Sequence, residues 1–407
     1  MSTDWTNDPE AATKTLQDSF EKELKKYPDR FLKEAKSDGK VSFNGDKSPF
    51  YAIQAYVWCG MLYPNTDAEF EKKLPESRFK HLEVVLPKIY EDTKNALVAV
   101  STSCNNFSRG PMSSVFSYSS LVKIYAGNAK NSLGAVDGLG AQLKTLTSDK
   151  YKNKDTIDDD FEAAKELAKE RLEGLKSDAK EKEAESERLR TQLENFLNET
   201  VKNKTVVTAL NQKYLSPVTD SGGKQYSNAM VYLNHELADL QKKLKDAKDE
   251  ADKVTKDLQE QEDPKGWKFW VTLLSGPTGG LDLYLKLKDF KDAWEKWSTQ
   301  NKDTADVQQC QTTVTALEAQ IGDLITRMTK AVEGIRVIQD TFRHLGESLD
   351  PVIKAVEKIK KGTSSPLAAI RKSNIIHGVE EAVTKYEEIY KEAEEFAKAA
   401  QIKVTDA

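Results

Sequence analysis

Four histidines and three cysteines are the first side chains to weigh for chemistry in this 407-residue chain. Imidazole and thiolate groups most readily move protons, attack carbonyls or hold metals near neutral pH. His81, His235, His344 and His377 stand far apart. His235-Glu236 opens like a zinc-protease motif, but no second histidine follows at the spacing that would complete a metal-binding helix face. Cys59, Cys104 and Cys310 match no metal or disulfide spacing and read as reduced, partly buried thiols. Ser120 and Lys123 form an S-x-x-K pair without its companion motifs. Gly134, Gly138 and Gly140 follow no strand, so they read as a helix interruption rather than a dinucleotide loop. Asn106, Asn198 and Asn203 are formal glycosylation sequons without a secretion signal. No constellation meets the requirements of a catalytic site, so the expectation is no enzyme, no cofactor and no metal.

The elements that carry these residues are helical by composition. Charged residues make up 31% of the chain and apolar residues 38%, with only 12 Pro and 20 Gly. Mean hydropathy is −0.64. This is the balance of long solvated helices, and it argues against an all-β sandwich or a doubly wound enzyme. The 61 basic and 66 acidic residues leave a net charge of −5, which excludes a basic nucleic-acid surface. The polar start MSTDWTNDPE carries no secretory signal, and no stretch reaches the ~18 apolar residues of a spanning helix. These features predict a soluble cytoplasmic product, released by a non-classical route and needing no permanent anchor.

The strongest pattern lies near the C-terminus. Val314, Leu317, Ile321, Leu324, Met328, Ala331, Ile335, Ile338, Phe342, Leu345, Leu349, Val352, Val356 and Ile359 step by three and four, an unbroken heptad seam. Pro351 sits inside it and predicts a kink or a restart after Asp350. A second seam runs from Leu233 to Leu258, and a charged helix over 157–207 carries a thinner stripe from Phe161 to Phe196. Chain reversals are expected at 217–223 and 263–280. In the N-terminal part, Pro49 to Pro64 reads as a buried helix, followed by a cap at Asn65–Asp67. A helix over 82–100 is expected to end at the polar run STSCNNFSRGP, 112–146 is too rich in small residues to assign, and a final helix spans about 379–402.

One window departs from this polar background. GWKFWVTLLSGPTGGLDLYLKLKDF, residues 266–290, is the most hydrophobic stretch in its neighbourhood. Its halves flank the turn of Gly276, Pro277, Gly279 and Gly280. Trp267, Phe269, Trp270, Val271, Leu273 and Leu274 precede the turn, while Leu281, Leu283, Tyr284 and Leu285 follow it. Aromatics toward the ends and aliphatics toward the tip suit a membrane interface and its hydrocarbon respectively. The segment reads as a hydrophobic hairpin of either β or helical form. These ten residues are the candidate membrane-inserting site.

Taken in order, the helix of FYAIQAYVWCGMLYPNTDAEFEKKL, the LLSGPTGG turn, the return seam from Val314 and the closing helix of VEEAVTKYEEIYKEAEEF resemble the α-helical pore-forming toxins. That group includes cytolysin A, the haemolysin BL components and the Xax-type cytotoxins, and the likeness is greatest to the helical class-six Cry toxins. It covers nearly the whole chain but contains no short diagnostic motif. Lys268, Asp282 and Lys286 make the hairpin more polar than a purely hydrophobic head. The resemblance implies an all-α fold, an elongated antiparallel bundle of long helices with a small hydrophobic head. Its parts would be 1–155, N-terminal helices; 156–262, long charged helices; 263–298, the head; and 299–407, the return and C-terminal helices. It also implies a soluble pore-forming cytotoxin, or one component of one, that binds target-cell membrane lipid and oligomerises with itself or with a homologous component, without nucleic acid. The alternative from the residues alone is a non-lytic coiled-coil protein that docks a partner through the hairpin.

Overall fold

The structure is a computed structural model, and it describes residues 14, 18, 26–34, 41–43, 48–151, 158–220, 222–233, 303–357 and 375–400. In chain order it contains the strands β1 (Leu32–Glu34) and β2 (Val41–Phe43), then the helices α1 (Ser48–Met61), α2 (Asp67–Lys73), α3 (Lys80–Glu83), α4 (Ile89–Ser108), α5 (Pro111–Phe116), α6 (Tyr118–Gly134) and α7 (Leu139–Leu146). These lead into the long α8 (Asp159–Leu215), a two-residue ladder of β3 (Val218–Thr219) and β4 (Gln225–Tyr226), and α9 (Ala229–Leu233). The described chain closes with the long α10 (Asp303–Glu357) and with α11 (Ile375–Ala400). The class is all-α.

The chain divides into two compact units. One comprises Met1–Gly45, Ser117–Arg190 and Glu333–Lys398, and the other Asp46–Phe116, Thr191–Val332 and Ala399–Ala407. In the first unit, α8 and α10 run antiparallel, with Lys169 paired to Glu357 at 3.0 Å and Lys176 paired to Asp350. A step of seven residues along one helix thus meets a step of seven back along the other, the repeat of a heptad seam. Helices α6 and α11 form a second antiparallel pair in the same unit. Lys123 and Lys130 meet Glu394 and Glu387 at 2.8 and 3.6 Å, while Gly127 and Gly134 face Tyr390 and Val383. An aromatic core joins these layers: Phe342 packs against Phe31 and Tyr125, and Phe396 against Phe43 and Tyr118.

The second unit is built on α1, α4 and the C-terminal part of α8. Gly60 of α1 admits Cys104 of α4 so closely that a Cβ on the glycine would stand 2.2 Å from Sγ. Phe107 of α4 stacks on Phe196 of α8 with centroids 4.0 Å apart and planes 9° apart. Farther along the same pair, the hydroxyls of Thr93 and Tyr214 share a hydrogen bond of 2.8 Å. Thr66 caps α2 by accepting from the backbone N–H of Glu69, whose carboxylate accepts in turn from the N–H of Asn65, a variant of the capping box.

All described residues of the heptad seam, from Val314 to Val356, are buried. Helix α10 passes through Pro351 without a restart, and Leu349 and Val352 on either side of the proline remain buried. The interruption at Gly134–Gly140 is as expected, since α6 ends at Gly134 and α7 begins at Leu139. The reversal after α8 is the β3–β4 hairpin, where Gly223 takes a φ of 81°, a conformation that favours glycine.

One expectation is corrected. The polar run after Val100 does not end its helix: α4 begins at Ile89 and continues to Ser108. Its polar side chains find partners within the fold. Ser101 donates to the carbonyl of Tyr63 at 2.8 Å and Ser103 to the Glu199 carboxylate at 3.0 Å. The small-residue stretch 112–146 is also helical, as α5, α6 and α7. Gly134 admits Val383 of α11 closely, while Gly138 lies in the break between α6 and α7.

Candidate functional site

The candidate inserting residues at 267–285, with the turn at 276–280, lie outside the described residues, as do His235 and most of the seam from Leu233 to Leu258. The sequence 234–302 connects α9 to α10. Among the described residues, no helix is long and apolar enough to cross a membrane, and no group of three His, Cys, Asp or Glu side chains is arranged to hold a metal ion.

Lys123, the three cysteines, His344 and His377 have defined surroundings in the fold. Lys123 donates to Glu394 at 2.8 Å, a bond that raises its pKa and keeps the ammonium protonated beside Ser120. Cys59, Cys104 and Cys310 are buried and form no disulfide. Burial pushes the Cys59 thiol up to about 12 and raises Cys104 as well, the opposite of what a nucleophilic thiolate needs. His344 stacks on Tyr27 at 5.3 Å, and His377 reaches Glu381 at 3.1 Å. These two contacts lie on separate helices, α10 and α11.

What distinguishes the interior is its polarity. Ser186, Thr200, Asn203, Asn211, Thr313 and Arg327 are buried along α8 and α10. In the second unit, Thr315 donates to the side-chain amide oxygen of Asn211 at 2.7 Å and Arg327 donates to Asp323 at 2.7 Å. Ser186 Oγ, Gln192 Oε1 and Asn203 Nδ2 are buried without any hydrogen-bond partner. In the first unit, burial raises the carboxyl of Asp178, against the hydrogen bond it accepts from Asn128 at 3.0 Å. Glu183 is raised by burial too; Arg343 opposes the shift, while Glu347, Glu187 and Asp340 add to it. Such features store free energy in the packed helices, because partly buried charges and unpartnered polar atoms are better solvated when helices separate.

No family model matches the sequence, and no curated protein matches it. Solved structures do match. The chain is similar to the HblL1 toxin component of Bacillus cereus at 10% identity, with 86% of this chain and 95% of that chain covered and a TM-score of 0.47. It is also similar to soluble SmhA of the tripartite α-pore-forming toxin of Serratia marcescens, at 11% identity over 97% of this chain and 96% of that chain, with a TM-score of 0.46. The AhlB pore of the tripartite α-pore-forming toxin of Aeromonas hydrophila is a third, at 13% identity over 93% and 97% of the two chains and a TM-score of 0.41.

Sequence reasoning passed over the polar surface between α4 and α8 in the second unit. It treated Asn106 and Asn203 as formal sequons only. The structure places both beside Glu199 and Lys202 in one groove. A signal was present in the recurrence of Asn95, Ala99, Thr102 and Asn106 at steps of four and three, but the facing helix lies about ninety residues further along the chain.

Proposed function

We propose that this chain is a pore-forming cytotoxin, acting by itself or as one component of a multi-component toxin. It is soluble at rest, then inserts its apolar segment at 266–290 into a target-cell membrane and oligomerises. One observation carries this reading. Helix α10 buries every described residue of its heptad seam, while the window 266–290, the most apolar in its polar neighbourhood, lies shortly before that helix and is broken by a glycine-rich turn.

Insertion is driven by moving aromatic and aliphatic surface out of water at ~25 cal/mol per Å². Backbone groups that enter hydrocarbon must be paired, so the inserted segment is helical or part of a closed barrel. The buried seam can change partners between the resting packing and an oligomer. Unpartnered Ser186, Gln192 and Asn203 lower the cost of that exchange, since each polar atom regains water at about 1–3 kcal/mol. The partners are membrane lipid, further copies of the chain and, in a multi-component toxin, a homologous component.

Dye release from liposomes and lysis of cells test the proposal, with the protein alone and with companion proteins from its source. A protein that stays monomeric and inert on lipid in every combination overturns it. Trp270→Asp with Leu274→Asp should give a folded chain that no longer permeabilises membranes. Unchanged permeabilisation by that variant removes 266–290 as the inserting element.

A further inference from the structure

One end of the second unit carries the β3–β4 hairpin and α9. Helices α8 and α10 run antiparallel toward it: Thr315 donates to the side-chain amide oxygen of Asn211 at 2.7 Å, and the Cβ position of Gly322 is 3.7 Å from Lys204 Nζ. Helix α8 stops at Leu215, so by this register the first turns of α10, from Asp303, extend past it to the end that the hairpin and α9 occupy. Val307 and Cys310 in those turns are buried, as are Val218 of β3 and Ala229 of α9. The sequence 234–302, which holds the apolar window 266–290, therefore leaves and rejoins the unit at one end. Residues 291–302 separate that window from α10, and at ~3.3–3.6 Å per residue they reach at most about 45 Å.

This end is almost without charge. Residues 215–232 carry two charged side chains, Asp220 and Lys224, in a chain that is 31% charged. The Asp220 carboxylate is satisfied inside the hairpin, accepting from the N–H groups of Gly222 and Lys224 and from the Tyr226 hydroxyl, each at 2.9 Å. Lys224 Nζ lies 5.1 Å from the centre of the Tyr226 ring, and the rings of Tyr226 and Tyr232 meet edge to face at 5.2 Å. Leu215 and Val231 are 47% and 55% exposed.

We infer that this end, the β3–β4 hairpin with Leu215, Val231 and Tyr232, is a docking surface for the headgroup layer of a phospholipid bilayer. Tyrosine and lysine beside exposed aliphatics suit a membrane interface, with ring and stem in the apolar layer and hydroxyl or ammonium in water. Position favours lipid over a protein partner, and here the inference rests on the insertion reading. A window that enters hydrocarbon at 266–290 is joined to this end by residues 291–302, which hold the end within reach of the bilayer surface. The near absence of charge makes the attraction one of apolar burial rather than of anionic lipid. Because Leu215 and Val231 are exposed in the resting packing, the surface engages lipid before insertion and without it.

The test measures flotation of the full chain with phosphatidylcholine vesicles, with and without added phosphatidylserine, beside dye release from the same vesicles. Binding to both compositions is expected, at least about tenfold weaker in Leu215→Asp/Val231→Asp. Gln225→Asp/Ser227→Asp adds two charges to the same end without removing an aliphatic side chain; it should weaken binding too, and it keeps the test valid should the first variant not fold. Trp270→Asp/Leu274→Asp separates the two readings, because it should abolish dye release and keep flotation. Flotation of the parent without dye release, weakened in Leu215→Asp/Val231→Asp, supports the docking surface while the insertion reading fails. Flotation that requires phosphatidylserine or vesicles carrying membrane proteins overturns the surface. So does its loss in Trp270→Asp/Leu274→Asp, or flotation equal to the parent's in the folded variants at 215/231 and 225/227.

Discussion

Gly134 of α6 lies against Val383 of α11 so closely that a Cβ on the glycine would stand 2.8 Å from Val383 Cγ2 and 3.1 Å from Cγ1. Valine is stiff at χ1 and cannot swing clear. Gly134→Ala therefore gains up to about 1 kcal/mol of helix propensity and loses about 1–3 kcal/mol to overpacking. The expected net is a loss of about 1 kcal/mol. Gly174, in the middle of α8, has nothing within 4 Å of its Cβ position. Gly174→Ala should stabilise by about 0.5–1 kcal/mol. Denaturant midpoints of the two variants should move in opposite directions, and a shared direction would contradict the close packing of α6 on α11.

The face-to-face contact of Phe107 with Phe196, supplemented by Tyr56 at 6.3 Å from Phe196, anchors α4 to α8. Phe196→Ala should cost about 3–5 kcal/mol, read from urea unfolding. A double-mutant cycle with Phe107→Leu should show coupling between the two rings, whereas additive losses would mean that they act independently.

Two carboxylates should respond to pH in opposite senses. Asp158 is lowered to about 2 by the Lys150 ammonium and the Tyr151 hydroxyl, and it accepts from the Phe161 N–H at the start of α8. Its contribution is present above the ordinary ~3.9 of an unfolded aspartate and is lost as pH falls toward about 2. Asp158→Asn should therefore melt lower than the parent at pH 7, with the two curves converging near pH 2.

Glu183 is raised by burial, with Glu347, Glu187 and Asp340 adding to the shift and Arg343 opposing it. Its ionised form opposes folding at neutral pH, and the penalty disappears below the ordinary ~4.3 of an unfolded glutamate. Glu183→Gln should raise the melting temperature at pH 7, by less than about 1 kcal/mol for a partly exposed charge. The advantage should be gone at pH 4. An advantage that grows on acidification would show the carboxylate to be stabilised in the fold.

Cys59, Cys104 and Cys310 are all buried, and burial raises the first two thiols well above their usual range. Ellman's reagent at pH 8 should find no thiol in the native protein and three after guanidinium unfolding. Fast labelling of the native form would show that the α1–α4 packing around Gly60 and Cys104 opens readily.

The heptad seam of α10 was legible in the sequence because a helix buried along one stripe must repeat its apolar residues every three or four positions, whatever packs against them. The same local rule placed α1, the Thr66 cap region, α11 and the break after Gly134. The apolar window at 266–290 is also a property of the sequence alone. It remains the basis of the proposed insertion, with its residues outside those the structure describes.

Tertiary structure decided what local pattern leaves open. Ser101 and Ser103 look like a helix end until Tyr63 and Glu199 supply hydrogen-bond partners, because a polar residue's place depends on what reaches it through space. Gly134 ends α6 as its type suggests, but only the packing shows that Val383 of α11 leaves no room there for a Cβ. The groove of Asn95, Asn106 and Asn203 exists only once α4 lies against α8. Periodicity fixes which face of a helix is buried, but only packing fixes against which partner and with which polar atoms left over.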